Sequence, residues 1–198
     1  MKAVILAAGM GLRLGKLTKN MPKAFLTIKG KPLIKYSLDN LAKAGIKEAV
    51  IVVGHMEPFF KEQLGNDYNG ISIRYKKNKE YSSTGSMYSL SQTEGFIDDD
   101  ILLLESDLLY DSNALMELLD SPHKDIILAS PLTGSNDAVY IRADEQGNLK
   151  NLGKKINKEG AMGELVGISK LSRKFLMSLY SIAREDYAKN EMKSHYEE

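Results

Sequence analysis

Residues 2–23 read KAVILAAGMGLRLGKLTKNMPK, an apolar strand-forming run that passes straight into a glycine-rich turn and then delivers Arg13, Lys16 and Lys23. Ala7, Ala8, Gly9 and Gly11 carry little or no side chain, so backbone N–H groups can approach an anion closely. Successive amides in such a turn form an anion-binding concavity. The three cations add charge-assisted hydrogen bonds of the kind that hold phosphate oxygens. Two other phosphate loops are excluded. A G-x-G-x-x-G fingerprint starting at Gly9 needs glycine where Leu14 stands, and a Walker A loop ending at Gly15-Lys16 needs Ser or Thr where Leu17 stands. The stretch predicts a strand, a polyphosphate cradle and its counter-charges.

Downstream, strand-like and helical patterns alternate, as in crossover βαβ units with a largely parallel, buried sheet. Pro32 opens a helix whose Leu33, Ile34, Ser37, Leu38 and Leu41 share one face, closed by Gly45. Residues 49–53, AVIVV, form a continuous apolar run suited to a strand buried on both faces. A helix over 58–64, a strand over 71–75, a helix from Gly85 through Leu90, a strand over 101–104, a helix over 111–120 and a strand over 126–129 follow. Beyond 131 the runs shorten: 138–142, 149–152 and 164–169 read as strands between turns at Gly147 and Gly160, and 171–195 as helical. The fold class is a Rossmann-like three-layer αβα arrangement with a mostly parallel sheet and a small strand-rich extension. No repeat or linker interrupts it, so residues 1–198 read as a single domain.

Composition narrows the function. A chain of 198 residues with 43% hydrophobic content is long enough for one well-cored domain. A net charge of +1 argues against nucleic-acid binding driven by overall positive charge. With no cysteine, disulfides, thiolate catalysis and zinc–cysteine sites are excluded. The apolar run at 4–8 is far shorter than a secretory leader, and no run approaches a membrane span, so the expected location is cytoplasmic.

The patterns LAAGMGLRL at 6–14, PKAFLTIKGKPLI at 22–34 and STGSMYSL at 83–90 resemble the nucleoside-triphosphate-transferase family. Its members join a nucleoside monophosphate to a phosphorylated acceptor and release pyrophosphate. Residues 83–90 and the short length are more similar to the 2-aminoethylphosphonate and phosphocholine cytidylyltransferases than to the sugar-1-phosphate enzymes. The resemblance implies CTP, Mg²⁺ and a small phosphonate or phosphate acceptor as partners, in a chain that stands alone, self-associates or is fused to another domain. Two alternatives stay open: a sugar-1-phosphate nucleotidyltransferase using UTP or dTTP, and an inactive nucleotide-binding regulatory domain.

Residue by residue, the resemblance implies that Lys23 contacts phosphates at the reaction centre and that Arg13 and Lys16 neutralise the leaving pyrophosphate. Lys154, in NLGKKI, is expected on a strand facing the acceptor's phosphoryl group. The stretch LLLESDLLY runs a buried strand into Glu105 and Asp107, and acids ending such a strand face the same crevice as the cradle. Asp107 corresponds to the family's Mg²⁺-holding aspartate, and Glu105 to a nucleotide contact or a support for it. The nucleotide side is assigned to Leu6, Ala7, Ala8, Gly9, Met10, Gly11, Lys16, Thr84, Gly85, Ser86 and Glu105. The acceptor headgroup is assigned to Asp137, Glu164, Tyr196 and Glu197, flanking an ammonium at the far end of the crevice. The absence of tryptophan favours a primary amine over a quaternary one. The three histidines form no metal or triad spacing. The family's second metal aspartate, in an E-I-D-like motif, does not occur before Glu198, which leaves two readings: a longer protein, or a metal site with one acid fewer.

Overall fold

The structure, a computed structural model, describes residues 1–135 and 137–197. Its first strand, β1 (Lys2–Ala7), is buried from Ala3 onward. Next come the short pair β2 (Thr27–Ile28) and β3 (Lys31–Pro32), helix α1 (Leu33–Lys43), β4 (Glu48–Val53) and helix α2 (Glu57–Leu64). The chain continues through β5 (Asp67–Tyr68), β6 (Ile71–Lys77), helix α3 (Ser86–Ser91), β7 (Ile101–Glu105) and helix α4 (Ser112–Asp120). It closes with β8 (Ile126–Ser130), β9 (Tyr140–Ala143), β10 (Leu149–Gly153), β11 (Gly163–Leu171) and helix α5 (Arg173–Ala188).

Among the described residues, one nine-stranded mixed sheet runs in the order β10-β9-β11-β7-β1-β4-β6-β5, with β8 also on β11. Its centre is parallel: β7, β1, β4 and β6 share one direction, with Ala3 opposite Ala49 and Leu6 opposite Glu105. The strands beyond β7 are antiparallel. These central strands are apolar throughout because both faces are covered. Alternation then sorts the side chains: Ala3, Ile5 and Ala7 of β1 face a core with Leu38 of α1, Phe60 of α2 and Leu115 of α4. Val4 and Leu6 face a second core with Leu90 of α3 and Leu176 and Tyr180 of α5. The three-layer αβα expectation therefore holds, and the strand-rich extension continues the same sheet.

The chain leaves β1 for β4 on one side and returns to β7 on the other, so β1 marks a topological switch point, where open sheets carry their ligand crevices. Most boundaries shift by one or two residues from the sequence reading, and two of the differences bear on the site. Pro32 adopts an extended conformation before α1, which begins one residue later. Helix α5 stops at Ala188 rather than near 195, where Asn190 takes a positive φ of 61° and turns the chain back. Residues 191–196 then lie against the start of α3, through Gly85 N–H donating to Met192 O (2.8 Å) and Met87 N–H to Ser194 O (3.3 Å). No helix among the described residues is long and apolar enough to cross a membrane.

Candidate active site

At the carboxyl ends of β1 and β7 lies a cleft of about 730 Å³. The glycine loop forms one wall. Gly9 faces open space, whereas Gly11 takes φ +65°, and a Cβ there would stand 3.1 Å from Thr18 Cγ2. The buried Thr18 hydroxyl donates to Gly11 O at 3.0 Å, and so ties the far end of the Leu12–Thr18 segment, broken at Gly15, back onto the loop. Pro22 then starts the short turn Lys23–Phe25, anchored by Phe25, whose ring meets those of Phe59 and Phe60 edge-on. With its neighbour Phe25 wedged in the core, Lys23 is directed into the cleft, where its Nζ lies 3.0 Å from Asp107 Oδ2.

Asp107 sits two residues past the last residue of β7, Glu105, which lies partly buried on the cleft floor. Gly167 of β11 lies beside Glu105, and a Cβ there would stand 3.1 Å from the Glu105 Cγ. Burial pushes the Glu105 carboxyl up to about 7; Lys23 opposes this, and the carboxylates of Glu197 and Asp107 add to it. Burial raises the Tyr196 phenol well above the usual tyrosine range, and the nearby Glu105 carboxylate adds to this.

The third wall is the loop leading into α3. Asn78, fully buried, donates to Thr84 Oγ1 (2.9 Å) and Ser89 Oγ (3.1 Å) and accepts from Glu80 N–H (2.9 Å). Thr84 in turn donates to Glu80 O at 2.9 Å, so its hydroxyl is committed to holding the loop and leaves only acceptor capacity toward the cleft. Gly85 admits no side chain, because a Cβ there would lie 2.1 Å from Ser194 O. Ser86 donates to Glu197 Oε2 at 3.0 Å, accepts from Tyr196 N–H at 3.2 Å and meets His195 Nδ1 at 3.1 Å. This cluster is not a nucleophilic triad: Ser86 Oγ and Glu197 Oε1 (3.7 Å) approach the same imidazole nitrogen, so the ring cannot pass a proton between them.

Across the mouth, Asp137 accepts from Arg13 Nη1 through one oxygen and from Lys154 Nζ at 2.6 Å through the other. The Lys154 ammonium, followed by the Arg13 guanidinium, holds the Asp137 carboxyl below the usual carboxylate range.

The cleft is therefore lined by Leu6, Ala8, Gly9, Met10 and Gly11 of the loop, by Arg13, Lys23 and Lys154, by Thr84, Gly85 and Ser86, and by Glu105, Asp107, Asp137 and Glu197. Other assigned residues stand elsewhere. Ala7 points into the core. Lys16 lines a smaller depression next door with Thr18, Lys19 and His55. Glu164 does not line the cleft: it accepts from Thr133 N–H (3.0 Å) and Oγ1 (2.6 Å), bonds that hold its carboxyl below the usual range. Tyr196 packs beside the second core and does not line the cleft. Lys154 lies in the turn after β10, which ends at Gly153, so strand alternation does not govern its direction. Asp137 and Glu197 both line the cleft, the first bridging two cations and the second accepting from Ser86.

Sequence reasoning missed Tyr81, Ser89 and His195, which also line the cleft. Tyr81 carried no local signal; it is admitted there because Gly54 has no side chain, a Cβ at that position standing 2.5 Å from Tyr81 Cβ and 2.8 Å from Ala8 O. His195 carried no local signal, since its partner is 109 residues distant.

The donor chemistry fits a hard cation. Asp107 offers a carboxylate beside the amides of the glycine loop. Mg²⁺ favours that arrangement, taking one or two carboxylates plus substrate phosphate and water.

Known proteins resemble this chain at several levels. The family described as nucleotidyl transferase matches residues 2–138. A CMP-5'-(3-aminopropyl)phosphonate synthase of Streptomyces rubellomurinus is 36% identical over 152 residues, 75% of this chain and 24% of that protein. A choline-phosphate cytidylyltransferase of Streptococcus pneumoniae is 40% identical over 90 residues, 46% of this chain and 38% of that protein. The chain thus spans between a quarter and two-fifths of the length of these two relatives. The solved structure of an inositol-1-phosphate CTP transferase from T. maritima superposes with a TM-score of 0.77 at 21% identity, covering 98% of this chain and 84% of that one, which shows the shared fold.

Proposed function

The chain belongs to the nucleotidyl transferase family, and we propose that it joins CMP from CTP to a small amine-bearing phosphonate or phosphate, foremost 2-aminoethylphosphonate, releasing pyrophosphate. The observation that supports this reading most is convergence: the amide-rich loop, the Lys23–Asp107 pair and the Arg13 and Lys154 cations all open onto one cleft. The relatives whose names pair CMP or CTP with an aminoalkylphosphonate or choline phosphate support the choice of nucleotide and acceptor class.

In the proposed reaction an acceptor oxygen attacks the α-phosphorus of CTP in line. The new O–P bond forms as the α–β bridging P–O bond breaks, and pyrophosphate leaves with the electron pair. Such a reaction gains from positioning and electrostatic stabilisation rather than covalent help from the protein. Loop amides at Gly9–Gly11 and the Lys23 ammonium meet the charge that develops on the phosphates. Arg13 and Lys154, which share the Asp137 carboxylate at the cleft mouth, meet phosphoryl oxygens there. A Mg²⁺ ion held at Asp107 would supply further neutralisation of the triphosphate. Backbone at Leu6–Gly9 and the Thr84–Ser86 loop read the base. Glu197 supplies the counter-charge for the acceptor's ammonium.

The test is pyrophosphate release with each of the four common nucleoside triphosphates, combined in turn with 2-aminoethylphosphonate, phosphocholine and a hexose-1-phosphate. CTP with the aminoethylphosphonate is expected to lead. A lead for phosphocholine would move the acceptor, and activity confined to the sugar phosphate would refute the proposal. CTP binding without turnover on any acceptor would favour a regulatory role.

A further inference from the structure

The three side chains at the cleft mouth come from separate parts of the chain. Arg13 belongs to the glycine-loop segment, Asp137 to the connection between β8 and β9, and Lys154 to the turn after β10. Each cation takes a different oxygen of the same carboxylate, Oδ2 for Arg13 and Oδ1 for Lys154. A group that satisfies both cations through two oxygens on one centre is what a phosphoryl group would also offer. The Asp137 carboxyl is held ionised by these neighbours, so the seat carries a negative charge of the protein's own.

We infer that the gap between Arg13 and Lys154 is a phosphoryl seat that Asp137 fills as an internal counter-anion, and that polyphosphate must displace this carboxylate to enter. The inference rests on reading the cleft as a nucleoside-triphosphate site. It also assigns Arg13 and Lys154 to one anion rather than to two phosphates at opposite ends of the crevice, because a single carboxylate already spans them. Asp137 thereby acts against the ligand in the free protein: an incoming phosphate has to exchange with it on both cations and is repelled by it until it moves. All three side chains are substantially exposed, at 77% for Arg13, 52% for Asp137 and 41% for Lys154, so the effect is modest in size.

The sign of the effect decides between displacement and its opposite, preorganisation of the two cations by Asp137. Calorimetric titration of inorganic tripolyphosphate, and separately of CTP, into wild-type chain, Asp137→Asn and Asp137→Ala supplies that sign. Both variants are expected to bind tripolyphosphate about threefold to tenfold more tightly than wild type, the range expected for removing a competitor that holds two exposed ion pairs. In an Arg13→Gln background the gain from Asp137→Asn should fall by at least half, since one of the two cations it releases is gone. Unchanged or weaker binding in both Asp137 variants, with CTP still bound by wild type, overturns the displacement while leaving the nucleotide reading intact. Failure of every variant and of wild type to bind either probe overturns both.

Discussion

On one side of the cleft, Gly9, Gly11 and Lys23 arrive within one strand-and-turn segment whose backbone is held by Thr18 and Phe25 a few residues away, while Arg13 of the same segment reaches across to Asp137. On the opposite side Asp137, Lys154 and Glu197 come from three separate segments, and their partners lie between 17 and 124 residues away in sequence. The first wall is built from backbone whose conformation is written locally. The second is built from side chains whose meeting depends on an antiparallel extension and a returning C-terminal segment. Substitutions in the first wall should therefore change the chemistry directly, and those in the second should change how the cleft is assembled or whom it accepts.

The largest effect is expected for Lys23→Ala. A cleft lysine that neutralises charge in the transition state should lower turnover by about a hundredfold or more, with little change in thermal stability. Steady-state kinetics and a melting curve check both halves; a large loss of stability with normal turnover per folded molecule would erase the contrast between the walls.

Gly85→Ala probes the second wall's assembly. Its Cβ would meet Ser194 O at 2.1 Å, a backbone atom that cannot rotate aside, so the segment after α5 has to shift. Overpacking of this kind costs about 1–3 kcal/mol. Lower melting temperature and faster proteolysis between residues 189 and 197 are expected, and a variant that matches wild type in both would show that the returning segment does not lie on α3.

Glu105 stands at the seam, and its titration follows from its burial. Its carboxyl is raised from 4.5 to about 7 in the folded chain, so between those values the unfolded chain has released a proton that the native chain keeps. Stability should accordingly fall as pH rises through that window and level off above it, by about 1–3 kcal/mol. In chelator-treated buffer, Glu105→Gln should lose less stability than wild type between pH 4.5 and 7.5. Parallel curves would remove Glu105 from the buried floor.

The smallest effect is expected for Glu197→Gln, which should raise the acceptor's apparent KM several-fold and leave that of CTP within about twofold, since one partly screened charge is lost. A shift confined to CTP would assign Glu197 to the base side through its bond to Ser86.

The same contrast explains what could be read in the sequence. The parallel strands β1, β4 and β7 and the glycine turn after β1 were legible because apolar runs and glycine spacing report directly on burial and backbone shape. Asp107 was legible because it follows a buried strand within two residues. Lys154 was assigned to the cleft by resemblance, but its place just past the last strand residue could not be read from the pattern. Glu164 misled because a carboxylate on a strand near the crevice looks the same in sequence whether it faces the ligand or Thr133. Histidine spacing along the chain says nothing about the contact His195 makes with Ser86, because the segment that carries it turns back at Asn190.

The most direct test of the account is a crystal structure of the chain with CTP and Mg²⁺. It predicts the triphosphate on the Gly9–Gly11 amides, Lys23 Nζ bonded to a phosphate oxygen, and the base between Tyr81 and the Thr84–Ser86 loop. Nucleotide bound away from the ends of β1 and β7, or a triphosphate that leaves Lys23 and the glycine loop untouched, would contradict it.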